Sequence, residues 1–217
     1  MSERIRLAVV EDQLFTREVT IKLLHVHYGD SSKVIGFATV EELLDWEDSE
    51  FDVVVLDLQL RGGSLEGSDA IHAAVRRGRV LVFSSLESGE ALERAHAAGA
   101  LGYVSKDTGG EQALIDGVDA VLAGDSFVDP ELLTRIGASA RKQLTTRQQE
   151  VLRLEALGCN VSQIAPKLGL SEAGVRRHIE RIVEIHPNCA KAERVRLAIE
   201  LGLVTPWETS QRYPAPR

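Results

Sequence analysis

Two stretches of this chain carry an apolar run directly into acid. FDVVVLDLQL (51–60) takes Val53, Val54, Val55 and Leu56 into Asp57, and IRLAVV (5–10) ends on Glu11 and Asp12. A carboxylate after four apolar residues is costly unless something uses or neutralises it. If both runs are strands of one parallel sheet, three carboxylates meet at the rim where open α/β sheets bind their ligands. Such a cluster repels itself, raises some pKa values and invites a divalent cation with oxygen ligands. Two more residues belong to the same rim: Ser84 closes VLVFSS, and Lys106 follows LGYVS. Together these types suit a carboxylate that accepts a phosphoryl group. Asp57 would be the nucleophile, and Glu11, Asp12, Asp57 itself and the backbone carbonyl of Gln59 would hold Mg²⁺. Lys106 would pair with the acyl-phosphate as a point charge, while the Ser84 hydroxyl hydrogen-bonds a phosphate oxygen.

That chemistry needs strands and helices in alternation. The pattern predicts strands at 5–10, 33–37, 51–56, 80–83 and 101–104. Between them lie helical stretches at 13–27, from Thr39 as N-cap to about Asp48, a short one at 69–77, and 87–98. A last helix covers 108–123. Strands separated by helix-length segments mean βαβ units and a parallel sheet. Residues 124–142 read as a linker, within which Asp129-Pro130 places Pro at a helix start. Beyond Leu144 the strand signals stop. Four helices are expected at 145–157, 161–168, 172–185 and 190–201, broken at Gly158, Gly169 and Pro187-Asn188. The end, PWETSQRYPAPR, has three prolines and no period, which predicts a flexible tail over 206–217.

Composition narrows the classes. With 44% hydrophobic and 27% charged residues in 217, the chain is an ordinary globular protein with room for two modest domains. No apolar run reaches membrane-spanning length, and MSERIRLAVVEDQ lacks the form of a signal peptide. Cys159 and Cys189 stand alone, without metal-ligand spacing, so free thiols in a cytoplasmic protein are expected. The net charge of −8 conceals an asymmetry. Residues 1–142 hold 14 Lys and Arg against 25 Asp and Glu, whereas 143–217 hold 11 against 8. A cation at one end and a polyanion at the other fit that split.

The elements VVEDQ, VVVLDLQL, VFSS and GYVSKD, in that order, resemble the receiver domain of a bacterial two-component response regulator. The resemblance covers about residues 4–123. It implies a CheY-like (βα)₅ fold, phosphorylation of Asp57 by a sensor histidine kinase, and a switch through Ser84 and Tyr103. The chain departs from the family where Leu60-Arg61-Gly62 replaces the usual Met-Pro-Gly, and where the segment from Asp57 to Ser84 is short. An enzymatic alternative, the haloacid dehalogenase-like phosphatase, also uses an Asp after a buried strand, but needs a second Asp where this chain has Gln59. A non-enzyme is expected.

In the second half, 161–168, Gly169 and 172–185 form a helix, a tight turn and a second helix with Ser171 as N-cap. Val175, Ile179, Ile182 and Val183 share one face of that helix, leaving its early arginines turned outward, as insertion into a major groove requires. LTTRQQEVLRLEALGCNVSQIAPKLGLSEAGVRRHI resembles the LuxR/NarL/FixJ-type helix-turn-helix, over about 143–204. The resemblance makes Arg176, Arg177, Glu180 and Arg181 the DNA-facing positions and places Ile199 and Leu201 at a homodimer contact. Pro166 inside the first helix of the motif costs roughly 3 kcal/mol if that helix stays regular. Gly174 weakens the second, and Glu180 occupies a position that is usually a positively charged, base-contacting residue in this family, where it would repel phosphate or accept from a cytosine amine. The expected whole is a receiver (1–123), a linker (124–142), an all-α four-helix DNA-binding domain (143–205) and a tail. It is expected to bind promoter DNA as a homodimer on a two-fold site. The alternative is an orphan regulator or interaction adaptor with weakened DNA binding.

Overall fold

The computed structural model describes residues 4–47, 50–136, 144–186 and 189–210. The chain forms two compact units, one built on a sheet and one on the C-terminal helices.

The sheet has six strands, all parallel, in the order β2-β1-β3-β4-β5-β6. They are β1 (Ile5–Val10), β2 (Ser32–Phe37), β3 (Val53–Leu56), β4 (Arg79–Ser84), β5 (Gly102–Ser105) and β6 (Phe127–Val128). Between them run α1 (Leu14–Tyr28), α2 (Val40–Asp45), α3 (Gly67–Ala74), α4 (Gly89–Ala97) and α5 (Gly110–Ala123). All four residues of β3 are buried, as expected of a central strand with helices on both faces. Val53 and Val55 join Leu7, Val9, Leu81 and Val104 with Leu114, Val118 and Val121 of α5 in one core. Thr39 caps α2 as its type predicts, its Oγ1 accepting the Glu42 N–H at 3.2 Å.

The strand order decides where chemistry can occur. Chain direction across the sheet reverses at β1, so the crevice at this switch point opens between the carboxyl ends of β1 and β3. Val10 is in register with Leu56, so Glu11 and Asp57 leave the sheet side by side.

Two expectations are corrected here. The stretch 124–142 is not all linker: Phe127–Val128 pairs with Gly102 and Tyr103 as a sixth strand, and Pro130–Arg135 is a helix, α6. A Cβ on Gly102 would meet the Phe127 carbonyl at 2.8 Å, so the glycine lets the strand approach. A two-residue strand carries no period and leaves no sequence pattern. Residues 137–143 lie outside those described.

The helical unit contains α7 (Thr146–Ala156), α8 (Val161–Leu168), α9 (Glu172–Ile185), α10 (Lys191–Glu200) and a short α11 (Pro206–Ser210). Thr145 with Gln148, and Asn160 with Gln163, form capping boxes that start α7 and α8. The helix α8 continues through Pro166 to a left-handed Gly169 at φ 63°. Arg194 grips Glu155 with two hydrogen bonds of 2.8 and 2.7 Å, joining α10 to α7. The second correction concerns the tail. Residues 206–210 are helical, with Trp207 buried, because Thr205 and Glu208 make a capping box with Pro206 at the first helical position. Residues 211–217, and the predicted break at Pro187-Asn188, lie outside the described residues.

Candidate functional site

Each acid of the first unit is delivered by a strand end. The Asp57 N–H donates to the Val10 carbonyl at 3.0 Å and the Glu11 N–H to that of Phe37 at 3.0 Å, the last rungs of the ladder before the chain turns out. Oxygen atoms of Glu11, Asp12 and Asp57 all lie within 4.8 Å of one another. Lys106, directly after β5, donates to Asp57 Oδ2 at 2.7 Å and to Glu11 Oε2. Both carboxylates are almost fully buried, so the lysine is the cation that makes their burial tolerable. Burial pushes the Glu11 carboxyl above the ordinary range, with Asp57 adding to the rise, against hydrogen bonds from Lys106 and the Gln13 N–H.

Two buried oxygens in this site have no hydrogen-bond partner: Asp12 Oδ1 and Ser84 Oγ. Each is a group whose burial is costly until something binds it. An acidic oxygen suits a hard cation, and a hydroxyl suits the oxygen of a bound anion. Ser84 is opposite Ser105 in the sheet register, and the Lys106 N–H donates to the Ser84 carbonyl at 3.1 Å, so both residues face the rim from neighbouring strands. Tyr103 is fully buried, its hydroxyl donating to the Leu86 carbonyl at 2.7 Å in the loop after β4. Burial, then the Asp57 charge, raises its phenol above the ordinary value. The Gln59 N–H donates to Asp57 Oδ1 at 3.1 Å, starting the loop that leads to α3. Beside these groups a cleft of about 420 Å³ runs between Thr16 and Thr20 of α1 and Glu111 of α5, with Asp57 and Lys106 in its wall.

One residue near the site has no signal in the sequence. Glu41, in the first turn of α2, accepts the Ser64 N–H and hydroxyl at 2.7 Å each and the Leu65 N–H at 3.1 Å. These contacts hold its carboxyl at about 2.

In the helical unit, α8, Gly169 and α9 form the helix-turn-helix. Val175 and Ile182 are buried, and Arg176, Arg177, Glu180 and Arg181 are all exposed. Arg176 is held by Glu172 at 2.6 Å and Arg181 by Glu184 at 2.7 Å. His178 is half-buried, in keeping with a structural role. Ile199 and Leu201 do not form a surface: both are buried in the unit's own core with Leu144, Leu152, Ile182 and Val204. Side chains spent on that core are not free for a dimer contact, and the expectation for them is corrected.

Residues 142–184 match the family described as bacterial regulatory proteins, luxR family. The response regulator RamR of Streptomyces coelicolor is 31% identical over 209 residues, spanning 93% of this chain and 99% of RamR. The chain is a LuxR-family response regulator. The nitrate/nitrite response regulator protein NarL of Escherichia coli K12 is 30% identical to it over 149 residues, 64% of this chain and 68% of NarL. Among solved structures, a LuxR-family two-component response regulator from Aurantimonas superposes with a TM-score of 0.54 at 26% identity, covering 64% of this chain and 99% of that one. The RcsB response regulator of Salmonella typhimurium shares the fold, with a TM-score of 0.56 at 20% identity over 90% of this chain and 98% of its own. The regulator is thus a DNA-binding transcription factor by class. Among its described residues no helix is long and apolar enough to cross a membrane.

Proposed function

We propose that the regulator is switched by phosphorylation of Asp57, taken from a phosphohistidine on a sensor kinase, and that the switch controls promoter binding. The convergence of Glu11, Asp12 and Asp57 on one point, with Lys106 on Asp57, carries this reading. In the transfer the histidine N–P bond breaks, an Asp57 O–P bond forms, and the histidine ring keeps its electron pair. Glu11, Asp12, Asp57 and the Gln59 carbonyl are assigned to Mg²⁺, which supplies charge neutralisation between the carboxylate and the incoming phosphate. The unpartnered Asp12 Oδ1 supports that assignment. Lys106 neutralises charge on the product as a point donor, and the unpartnered Ser84 Oγ supplies a hydrogen bond to a phosphate oxygen. Movement of Ser84 toward that oxygen pulls the segment ending at Leu86, to which the Tyr103 hydroxyl is tied, so the two shift together.

The receiver is assigned to 1–128, with its sixth strand, the connection to 129–142 and the DNA-reading domain to the helices from 143 onward, in a cytoplasmic protein without turnover of its own. Arg176, Arg177, Glu180 and Arg181 are assigned to the DNA face. With 11 basic against 8 acidic residues from 143 onward, one copy offers few phosphate contacts, so a homodimer on a two-fold site is assigned as the binding form. Two arginines tied in ion pairs beside Glu180 favour a second reading, an orphan regulator with weakened DNA binding.

The test is Asp57→Asn. Phosphotransfer from a small phosphodonor should be lost, and activation of a reporter promoter with it. Unchanged promoter output and oligomeric state in Asp57→Asn would refute the phospho-switch and leave the orphan reading.

A further inference from the structure

We propose that Glu41 positions the loop over Asp57, and through it the backbone of 59–61 that faces the acid cluster. The inference rests on the metal-binding reading of that cluster. The loop from Arg61 to Glu66 contains Gly62 and Gly63; Leu60 just before it is buried, Leu65 is half-buried, and Arg61, Ser64 and Glu66 are exposed. Little side-chain packing therefore holds the loop, and glycines make it costly to order. It is fixed instead by polar contacts at two places. Near the cluster the Arg61 N–H donates to Asp12 Oδ2 at 3.3 Å. At the far end three donors, from Ser64 and Leu65, converge on Glu41 Oε1.

Two neighbouring glutamates of α2 divide the work. Glu42 turns back to the start of its own helix, accepting the Ala38 N–H at 2.7 Å. Glu41 reaches 23 residues along the chain to the loop. The approach is close: a Cβ on Gly63 would come within 2.5 Å of Glu41 Oε2, so the glycine lets the loop settle on the carboxylate. Here the loop is short and lacks a proline to stiffen it, and a charged acceptor on a packed helix does that work instead. Tethering residues 64–65 limits where 59–61 can lie, and so holds the Gln59 carbonyl and the Arg61 amide in place before a cation arrives. Glu41 is a positioning residue, not a ligand.

The experiment is calorimetric titration of Mg²⁺ into the full-length protein at neutral pH, with amide exchange at Ser64 and Leu65 measured in parallel. Glu41→Ala is expected to weaken Mg²⁺ binding by about tenfold, the low end for groups that orient a metal's ligands, and to speed exchange at both amides. Glu41→Gln keeps an acceptor oxygen in place and should recover most of the affinity. Mg²⁺ affinity in Glu41→Ala within a factor of about two of wild type, with faster exchange, would mean a tether without a positioning role and would overturn the proposal. If Glu41→Ala does not fold, Ser64→Ala carries the test, with a loss of about threefold expected from one missing donor and no change overturning it. Asp12→Ala separates the two levels of inference. Wild type binding Mg²⁺, Asp12→Ala failing to, and Glu41→Ala matching wild type would remove only the role of Glu41. Wild type failing to bind would remove the cluster's metal role and this proposal together.

Discussion

Lys106→Met keeps most of the side chain's length and apolar stem and deletes one charge. The Lys106 side chain is 14% exposed, and the Glu11 and Asp57 side chains it joins are 4% and 3% exposed. Without the ammonium group the two carboxylates face each other in a pocket that water barely reaches. Breaking a buried pair by removing one partner costs about 3–5 kcal/mol. The partial exposure of the lysine places this case near the low end, at about 3 kcal/mol. For a unit of this size each kcal/mol moves the transition by about 4 °C, so the sheet unit should melt roughly 12 °C lower in EDTA. Excess Mg²⁺ should recover most of that loss, because a divalent cation replaces the charge that was removed. The variant should also gain more from Mg²⁺ than wild type does. Scanning calorimetry of the two proteins, each in EDTA and in MgCl₂, measures all four states. Equal melting temperatures in EDTA, or a deficit that Mg²⁺ leaves untouched, would refute the argument that Lys106 and the metal neutralise the same carboxylates.

Two further outcomes are expected. Arg177 has no ion pair among the described residues, unlike Arg176 and Arg181, so Arg177→Ala should lower affinity for a promoter fragment by roughly tenfold and reduce the salt slope by about one, read from gel shifts across a salt series. The Glu41 carboxyl lies at about 2 in the fold against an ordinary 4.5, so its contribution to stability is present above the ordinary value and drains away as pH falls through that window. Urea midpoints measured from about pH 5 to about pH 2 should therefore fall less steeply in Glu41→Gln than in wild type.

The acid cluster was legible because strands impose it. Four apolar residues in a row announce a buried strand, and a charged residue after them announces the rim. Once five such strands are parallel, their ends have to meet. No knowledge of loops is needed to bring Asp57, Glu11 and Lys106 together. The helix-turn-helix was legible for a similar reason, since the cap at Ser171 and the αL glycine at 169 fix local geometry by residue type. Pro166 reads as a helix breaker, yet α8 runs through it, because packing of Ile164 and Ala165 in the core opposes the local preference. The helix at 206–210 was missed although its signal is local: Thr205-Pro206-Trp207-Glu208 is a capping box, and the prolines that follow it made the whole stretch read as a tail.

Glu41 and the burial of Ile199 and Leu201 were not legible, and for different reasons. The contact between Glu41 and Ser64 joins an element that ends well before β3 to a loop that begins after it, so no local pattern contains both. A glutamate in the first turn of a helix already has an explanation in the helix dipole, which hides any further use. Ile199 and Leu201 sit on an apolar stripe, and a stripe reports only that something covers it. A dimer partner and the rest of the domain leave the same periodicity. Here the cover is internal, supplied by Leu144, Leu152, Ile182 and Val204. A dimer of this regulator therefore has to be built from some other surface, and residues chosen to disrupt it by mutation should not include these two, whose loss would unfold the helical unit whether or not the protein dimerises.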